Sequence, residues 1–132
     1  MSKTLKILFV EDNPIDAELV LRQLRRDGVT LDVKRVDTEA DFAASLSPEL
    51  DLILSDYDLG SFNGLRALEI IKERDIEIPF ILISGTIGED LAVDAIKQGA
   101  SDYLLKDRLA RLGTAVNQAI KESRLRQERK QS

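Results

Sequence analysis

Short apolar runs alternate with amphipathic stretches along the whole chain. The runs are too short for helices and are typical of buried strands. The stretches between them place apolar side chains three and four residues apart, as a helix with one buried face does; Ala17, Val20 and Leu24 give the clearest example. The pattern predicts five strand–helix units. Their strands span residues 5–10, 31–36, 50–55, 79–83 and 103–105.

Capping residues bound the first of the predicted helices. Asn13 can cap its N-terminus, Pro14 suits its first position, and Asp16 adds a favourable charge to its first turn. The helix that follows the fourth strand has an inner face of small residues, so we expect it to pack closely and to bury little apolar area. The residues that mark this helix are Ala92, Ala95, Ile96 and Gly99.

Strands that alternate with helices favour a parallel sheet with helices on both faces and right-handed crossovers. A chain of 132 residues is long enough for one domain and short for two. We therefore predict an α/β fold with a single doubly wound (βα)5 domain that spans residues 4–120. Segment 121–132 is rich in charged residues, and we expect it to be a helix extension or the start of a linker.

Four of the predicted strands end in chemically reactive side chains. Glu11 and Asp12 follow the first strand, and Asp56 follows the third. Ser84 follows the fourth strand and Lys106 the fifth. The carboxyl ends of parallel strands share one edge of the sheet, where open α/β folds bind their ligands. We therefore expect one site with Asp56 at its centre.

The carboxylates of this predicted site suit a hard cation and phosphorus chemistry. Three converging carboxylates repel one another, and their pKa values should rise unless a cation neutralises them. Mg²⁺ takes oxygen ligands, so Glu11, Asp12 and Asp56 can supply part of its shell, completed by a backbone carbonyl, that of Asp58. A carboxylate beside such a metal is a plausible nucleophile towards phosphorus. Lys106 and the Ser84 hydroxyl can then bind phosphoryl oxygens.

Composition removes several classes of site. The chain contains no cysteine and no histidine, which excludes disulfides, thiolate sites, histidine bases and zinc–histidine sites. Its net charge of −5 argues against nucleic acid as the main partner. No run is long enough to span a membrane and no signal-peptide core precedes the first strand, so we expect a cytoplasmic protein without membrane contact.

Four motifs resemble those of the receiver domain of two-component response regulators, of the chemotaxis-regulator type. The similarity runs from about residue 6 to residue 120, nearly the whole chain, and the motifs stand in the same order at the ends of successive strands. The resemblance implies the strand order 2-1-3-4-5. The motifs are Phe9–Asn13, Leu54–Asp56, Ile83–Gly85 and Tyr103–Lys106.

The resemblance also implies a role for each residue of the site. Asp56 is the implied phosphoacceptor, with Glu11 and Asp12 as the acidic pair that binds Mg²⁺. The implied donor is a phosphohistidine on a sensor histidine kinase or phosphotransfer protein. The protein would promote only its own phosphorylation and dephosphorylation, and would not be an enzyme acting on other substrates.

The implied output is a change of surface. Ser84 is the implied switch hydroxyl and Tyr103 the switch aromatic. Ser84 should move towards the phosphoryl group and let Tyr103 turn inward, which alters the face formed by the fourth helix, fifth strand and last helix. By analogy that face binds a downstream output domain or protein, or forms a homodimer on phosphorylation.

Three residues depart from the pattern of this family. Receivers usually have a cis proline after the lysine, whereas Asp107 stands here, so we expect a trans bond or a remodelled loop. Asp58 and Thr86 occupy positions that tune the lifetime of the phosphoryl group in the family. The sequence Tyr-Leu-Leu-Lys-Asp resembles receivers joined to sensor, kinase or cyclase modules more than DNA-binding regulators.

Two other functions fit part of the sequence. Asp56 and Asp58 resemble the acidic motif of haloacid-dehalogenase-type phosphatases, in which the first aspartate is phosphorylated and the second is an acid and base. That family places its acidic metal pair after the lysine, whereas Glu11 and Asp12 come first here. The second alternative is a receiver-like binding module that is never phosphorylated.

Overall fold

The computed structural model describes residues 4–57, 62–85 and 88–131. Within these ranges, five strands alternate with five α-helices, and a short 3-10 helix, Leu109–Arg111, precedes the last of them. The strands are β1 (Thr4–Val10), β2 (Thr30–Val36), β3 (Leu52–Asp56), β4 (Phe80–Ser84) and β5 (Asp102–Leu105). The helices are α1 (Pro14–Arg26), α2 (Glu39–Ser45), α3 (Gly64–Glu73), α4 (Glu89–Lys97) and α5 (Leu112–Gln131).

The five strands form one parallel sheet in the order β2-β1-β3-β4-β5, which confirms the predicted α/β architecture. Its register determines where the functional side chains lie. Val10 pairs with Ser55, and Asp56 pairs with Ile83. Ser84 pairs with Leu105. The carboxyl ends of β1, β3, β4 and β5 therefore lie side by side at one edge of the sheet.

Helices cover both faces of the sheet, as predicted. Helices α1 and α5 pack on one face, where Val20, Leu24 and Val116 are buried against Ile7 and Phe9. Helices α2, α3 and α4 pack on the other face. Their buried side chains there include Phe42, Leu68, Ile71 and Ala95.

Helix α4 differs from the prediction at two positions: it ends at Lys97, so Gly99 lies beyond it, and Ile96 is not on its inner face. Ala95 is fully buried, but Ile96 is 49% exposed and does not lie on the inner face. Successive residues of a helix are about 100° apart, and the buried strip of α4 is narrow, with Ala95 as its one buried residue, so Ile96 falls outside it. The prediction of a small inner face is therefore confirmed, whereas the placement of Ile96 is wrong.

Helix α5 continues without a break through the charged segment at the end of the chain. Ser123 is buried, and Lys130 Nζ lies 2.6 Å from Glu77 Oε1 in the connection between α3 and β4. Gln127 Nε2 donates to the Glu77 carbonyl at 3.5 Å. The segment after residue 120 is thus helical through Gln131, and the domain boundary at 120 stays a prediction. Among the described helices, none has the length and apolar character needed to cross a bilayer.

Candidate functional site

The sheet brings the predicted site residues to one edge. Asp56 is the last residue of β3 and Ser84 the last of β4, while Glu11 and Lys106 directly follow their strands. Backbone hydrogen bonds extend the ladder past these ends. The Tyr57 N–H donates to the Ile83 carbonyl at 2.9 Å, and the Lys106 N–H donates to the Ser84 carbonyl at 2.9 Å. The strand-end prediction therefore places these residues correctly in the fold.

Three carboxylates meet at the centre of this edge. Glu11, Asp12 and Asp56 each offer an oxygen, and these oxygens lie within 4.8 Å of one another. Glu11 is 1% exposed and Asp56 3% exposed, whereas Asp12 lies open to solvent. Such a set of hard oxygen donors, buried on one side and open on the other, fits Mg²⁺, which keeps water or phosphate oxygens in its remaining positions.

The ammonium group of Lys106 contacts two members of this cluster and one further acid. Its Nζ lies 3.0 Å from Asp56 Oδ2 and 3.1 Å from Glu11 Oε1. The third partner is Asp16 Oδ2 at 2.8 Å. Burial works against the charged ammonium, but its carboxylate partners outweigh burial and raise the pKa of Lys106. This lysine is therefore a permanent positive charge at the site.

Burial and the close approach of the carboxylates affect the pKa of Glu11. Burial, and then the negative charge of Asp56, raise its pKa to about 7 despite the bonds that Glu11 accepts from Lys106 and from the Asn13 N–H. Its backbone is held as well, because Arg35 Nη1 donates to the Glu11 carbonyl at 2.8 Å. A cation at the cluster would relieve the repulsion that raises this pKa.

Among the described residues, Asp16 and Arg35 are neighbours of the site that the strand-end pattern does not identify. Asp16 is interpretable from sequence as a first-turn acid of α1, and this role gives no indication of a contact with Lys106. Arg35 lies on the edge strand β2, paired with Phe9, and its side chain reaches the backbone of the next loop. The one feature of the sequence that points to a contact with the site is the position of Asp16, a few residues after Glu11 and Asp12.

The two predicted switch residues lie on β4 and β5. Ser84 is buried at 1% exposure. Tyr103 is half-buried and packs against the apolar cluster under α3 and α4. Arg111 holds the strand beside it, with bonds of 3.0 and 3.2 Å to the Asp102 carboxylate and 3.2 Å to the Tyr103 carbonyl.

Two predicted contributors, Asp58 and Thr86, lie outside the described residues. The Lys106–Asp107 bond belongs to the part of the chain that the structure describes, where no cis peptide bond occurs. A trans bond is thus present where the family usually has a cis proline, one of the two outcomes that the sequence predicts.

Comparison with known proteins identifies the family. Residues 7–117 match the response regulator receiver domain. The chain belongs to this family. The receiver is 37% identical over 125 residues to the nitrogen assimilation regulatory protein NtrX of Azorhizobium caulinodans, covering 92% of this chain and 27% of that protein. It is 36% identical to the regulatory protein LuxO of Vibrio cholerae, covering 70% of this chain and 21% of LuxO.

A solved structure shows the same architecture. The signal receiver domain of the Luxo repressor protein from Vibrio parahaemolyticus superposes with a TM-score of 0.82 at 28% identity, covering 95% of this chain and 96% of the other. This receiver spans only about a quarter of the length of the curated relatives. The names of these relatives do not mention sensor, kinase or cyclase modules. That this receiver is of the type joined to such modules therefore stays a prediction.

Family membership favours the receiver over the phosphatase alternative. The described residues form the sheet, its covering helices and the loops between them. The family match spans residues 7–117, and the superposition covers 95% of the chain. The second alternative, a receiver that is never phosphorylated, concerns chemistry, and an experiment distinguishes it below.

Proposed function

We propose that this receiver accepts a phosphoryl group on Asp56 from a phosphohistidine of a sensor histidine kinase or phosphotransfer protein. The observation that carries this proposal is the surroundings of the Asp56 carboxylate. This carboxylate is nearly buried and contacts the Lys106 ammonium at 3.0 Å. One of its oxygens lies within 4.8 Å of an oxygen of Glu11 and an oxygen of Asp12. A structural carboxylate would not need two further acids beside it.

The chemistry follows from these contacts. An Asp56 carboxylate oxygen attacks phosphorus, an O–P bond forms, and the P–N bond of the donor breaks with its electron pair returning to the imidazole nitrogen. Glu11, Asp12 and Asp56 would hold Mg²⁺, which when bound neutralises phosphoryl oxygens. Lys106 supplies a second positive charge to the same oxygens. Asp58 is proposed to contribute its backbone carbonyl to the metal.

Phosphorylation would change the charge at the edge of the sheet and so bias the neighbouring loop. It adds about −1.5 to −2 charge and strong acceptor oxygens. We expect the Ser84 hydroxyl to donate to one of them and the Tyr103 ring to turn inward. The altered face of α4, β5 and α5 would then bind an output domain or protein or a second copy of the chain. Val93 and Ile96 are both 49% exposed on α4 and provide apolar area for such a contact.

Mass spectrometry after incubation with acetyl phosphate and Mg²⁺ tests the proposal. We expect one labile phosphoryl adduct on the wild type, none on Asp56→Asn, and none when the metal is chelated. An unmodified wild type, or an adduct on Asp56→Asn, contradicts the assignment.

Beryllofluoride and a phosphatase assay distinguish the alternatives. With Mg²⁺, beryllofluoride should shift the amide signals of Ser84 and Tyr103 in the wild type and not in Asp56→Asn; identical spectra would indicate a binding module that is never phosphorylated. The receiver should not turn over p-nitrophenyl phosphate. Sustained turnover that needs Asp58 would favour the phosphatase.

A further inference from the structure

One contact of the site has no role in the chemistry above. An ammonium group has three N–H donors. Among the described residues, Lys106 has three carboxylate partners, and the one at 2.8 Å is Asp16, which is neither a proposed metal ligand nor the phosphoacceptor. Asp16 lies on the first turn of α1, 90 residues from the lysine, and its side chain is 33% exposed. The contact therefore joins a surface helix to the lysine of the site.

We propose that Asp16 is a positioning residue that restrains Lys106 in the unphosphorylated receiver and thereby slows phosphorylation of Asp56. The inference rests on the proposed function, since it assigns a role within that reaction. The lysine must direct an N–H at an incoming phosphoryl oxygen, and Asp16 competes for the same ammonium.

Charge adds to this competition. The same ammonium touches both Asp16 and Asp56, so the Asp16 carboxylate lies close to the point where a phosphoryl dianion must arrive. A negative charge in that place repels the donor, and partial exposure to solvent screens the repulsion without removing it. Both effects have the same sign, because each disfavours the phosphorylated state and the approach to it.

The N-terminal cap of α1 does not depend on the Asp16 side chain. Asn13 Oδ1 accepts the Asp16 backbone N–H at 3.3 Å and the Ile15 N–H at 2.9 Å, and Pro14 occupies the first helical position. Asp16→Asn keeps the shape of the side chain and all of these backbone contacts. The substitution therefore removes the negative charge that contacts Lys106 while it retains the cap.

The chain offers a matched control on the same helix. Glu18 also lies on α1, but it pairs with Arg25 at 3.3 Å and its side chain is 53% exposed. Glu18→Gln removes the same charge from α1 without touching Lys106. Any effect of the net charge of the helix alone should be equal in the two variants.

The test measures the initial rate of phosphorylation by acetyl phosphate with Mg²⁺. In this reaction the Asp56 O–P bond forms while the P–O bond of acetyl phosphate breaks, and acetate leaves with the electron pair of that bond. We expect Asp16→Asn to react about 3- to 10-fold faster than the wild type, and Glu18→Gln to stay within about twofold. The ratio of Asp16→Asn to wild type should shrink as salt is raised from about 0.05 M to about 0.5 M. A purely structural role would give no such salt dependence.

Two more variants complete the test. Asp16→Glu keeps the carboxylate and should stay within about twofold of the wild type. Asp16→Ser is a second neutral variant with the same expected acceleration, and it replaces Asp16→Asn if circular dichroism shows that Asp16→Asn folds poorly. An unchanged or slower Asp16→Asn and Asp16→Ser, or an Asp16→Glu that is as fast as Asp16→Asn, overturns the inference. If the wild type itself is never modified, the proposed function fails instead.

Discussion

Helices α1 and α4 follow two strands that feed the same site, yet they are anchored very differently. Helix α1 begins at a capping side chain, Asn13, which accepts two backbone N–H groups, and it buries Ala17, Val20 and Leu24. Helix α4 begins at Gly88, which makes no side-chain cap, and it buries one residue, Ala95. Both helices carry acidic residues in the first turn. The difference therefore lies in capping and apolar contact.

This contrast assigns different mechanical properties to the two sides of the site. The acidic side keeps like charges close together, which requires a backbone that does not relax away from the repulsion. On the other side, helix α4 after Ser84 buries only Ala95, and elements with few buried contacts open with the smallest free energy. A receiver needs both properties, because one side binds the phosphoryl group and the other responds to it.

The largest expected effect comes from the core face of α1. Leu24 is fully buried, so Leu24→Ala removes apolar area and leaves a cavity. We expect the free energy of unfolding to fall by about 2–5 kcal/mol, measured by urea denaturation. A loss below about 1 kcal/mol would show that α1 is not the firmly anchored helix.

The acidic side should also carry a pH dependence of its own. The pKa of Glu11 is raised from 4.5 to about 7 in the folded protein, so folding takes up a proton between these values and Glu11 costs stability as the pH rises through them. In metal-free buffer, the free energy of unfolding of Glu11→Gln relative to that of the wild type should fall by roughly 3 kcal/mol from about pH 8 to about pH 4. Mg²⁺ should reduce this dependence. A difference that does not change with pH contradicts the prediction.

Removing the cap of α1 should have an intermediate effect. Asn13→Ala leaves the Ile15 and Asp16 N–H groups without their side-chain acceptor. We expect a loss of about 1 kcal/mol in the free energy of unfolding by thermal or urea denaturation. Asn13→Ser, which can still cap, should recover most of it. An equal loss in both variants would mean that the cap is not the cause.

The smallest effect is expected on α4. Ile96 is 49% exposed, so Ile96→Ala should lower the free energy of unfolding by no more than about 0.5 kcal/mol. The same aliphatic truncation in Leu24 provides the matched comparison. Similar losses in the two variants would remove the contrast between the helices.

The sequence predicts most of this fold because its signals are local. Apolar periodicity gives the order and type of the elements, and Asn13 with Pro14 gives the start of α1. Periodicity fails at Ile96 because α4 meets the sheet along a narrow strip that buries only Ala95, whereas α3 buries the adjacent pair Ile70 and Ile71. Strand bounds shift by one or two residues where a polar end joins the ladder, as Asp56 does in β3.

The site is predictable as far as the strand ends define it. Parallel strands bring Asp56, Ser84 and Lys106 together whatever the loops do. The contact of Lys106 with Asp16 depends on how far the first turn of α1 reaches over the end of β5, a distance that no local pattern encodes. The reach of Arg35 from the edge strand depends in the same way on three-dimensional packing.

Helix α5 has a consequence for protein engineering. Its 20 residues make a rod of about 30 Å, anchored at its far end by Lys130 and Glu77 on the side of the sheet away from Asp56. A fluorescent reporter fused in helical register to this rod would start with a defined rotation, and each inserted residue would turn it by about 100°. Energy transfer to a dye on the receiver should therefore oscillate along a series of insertions.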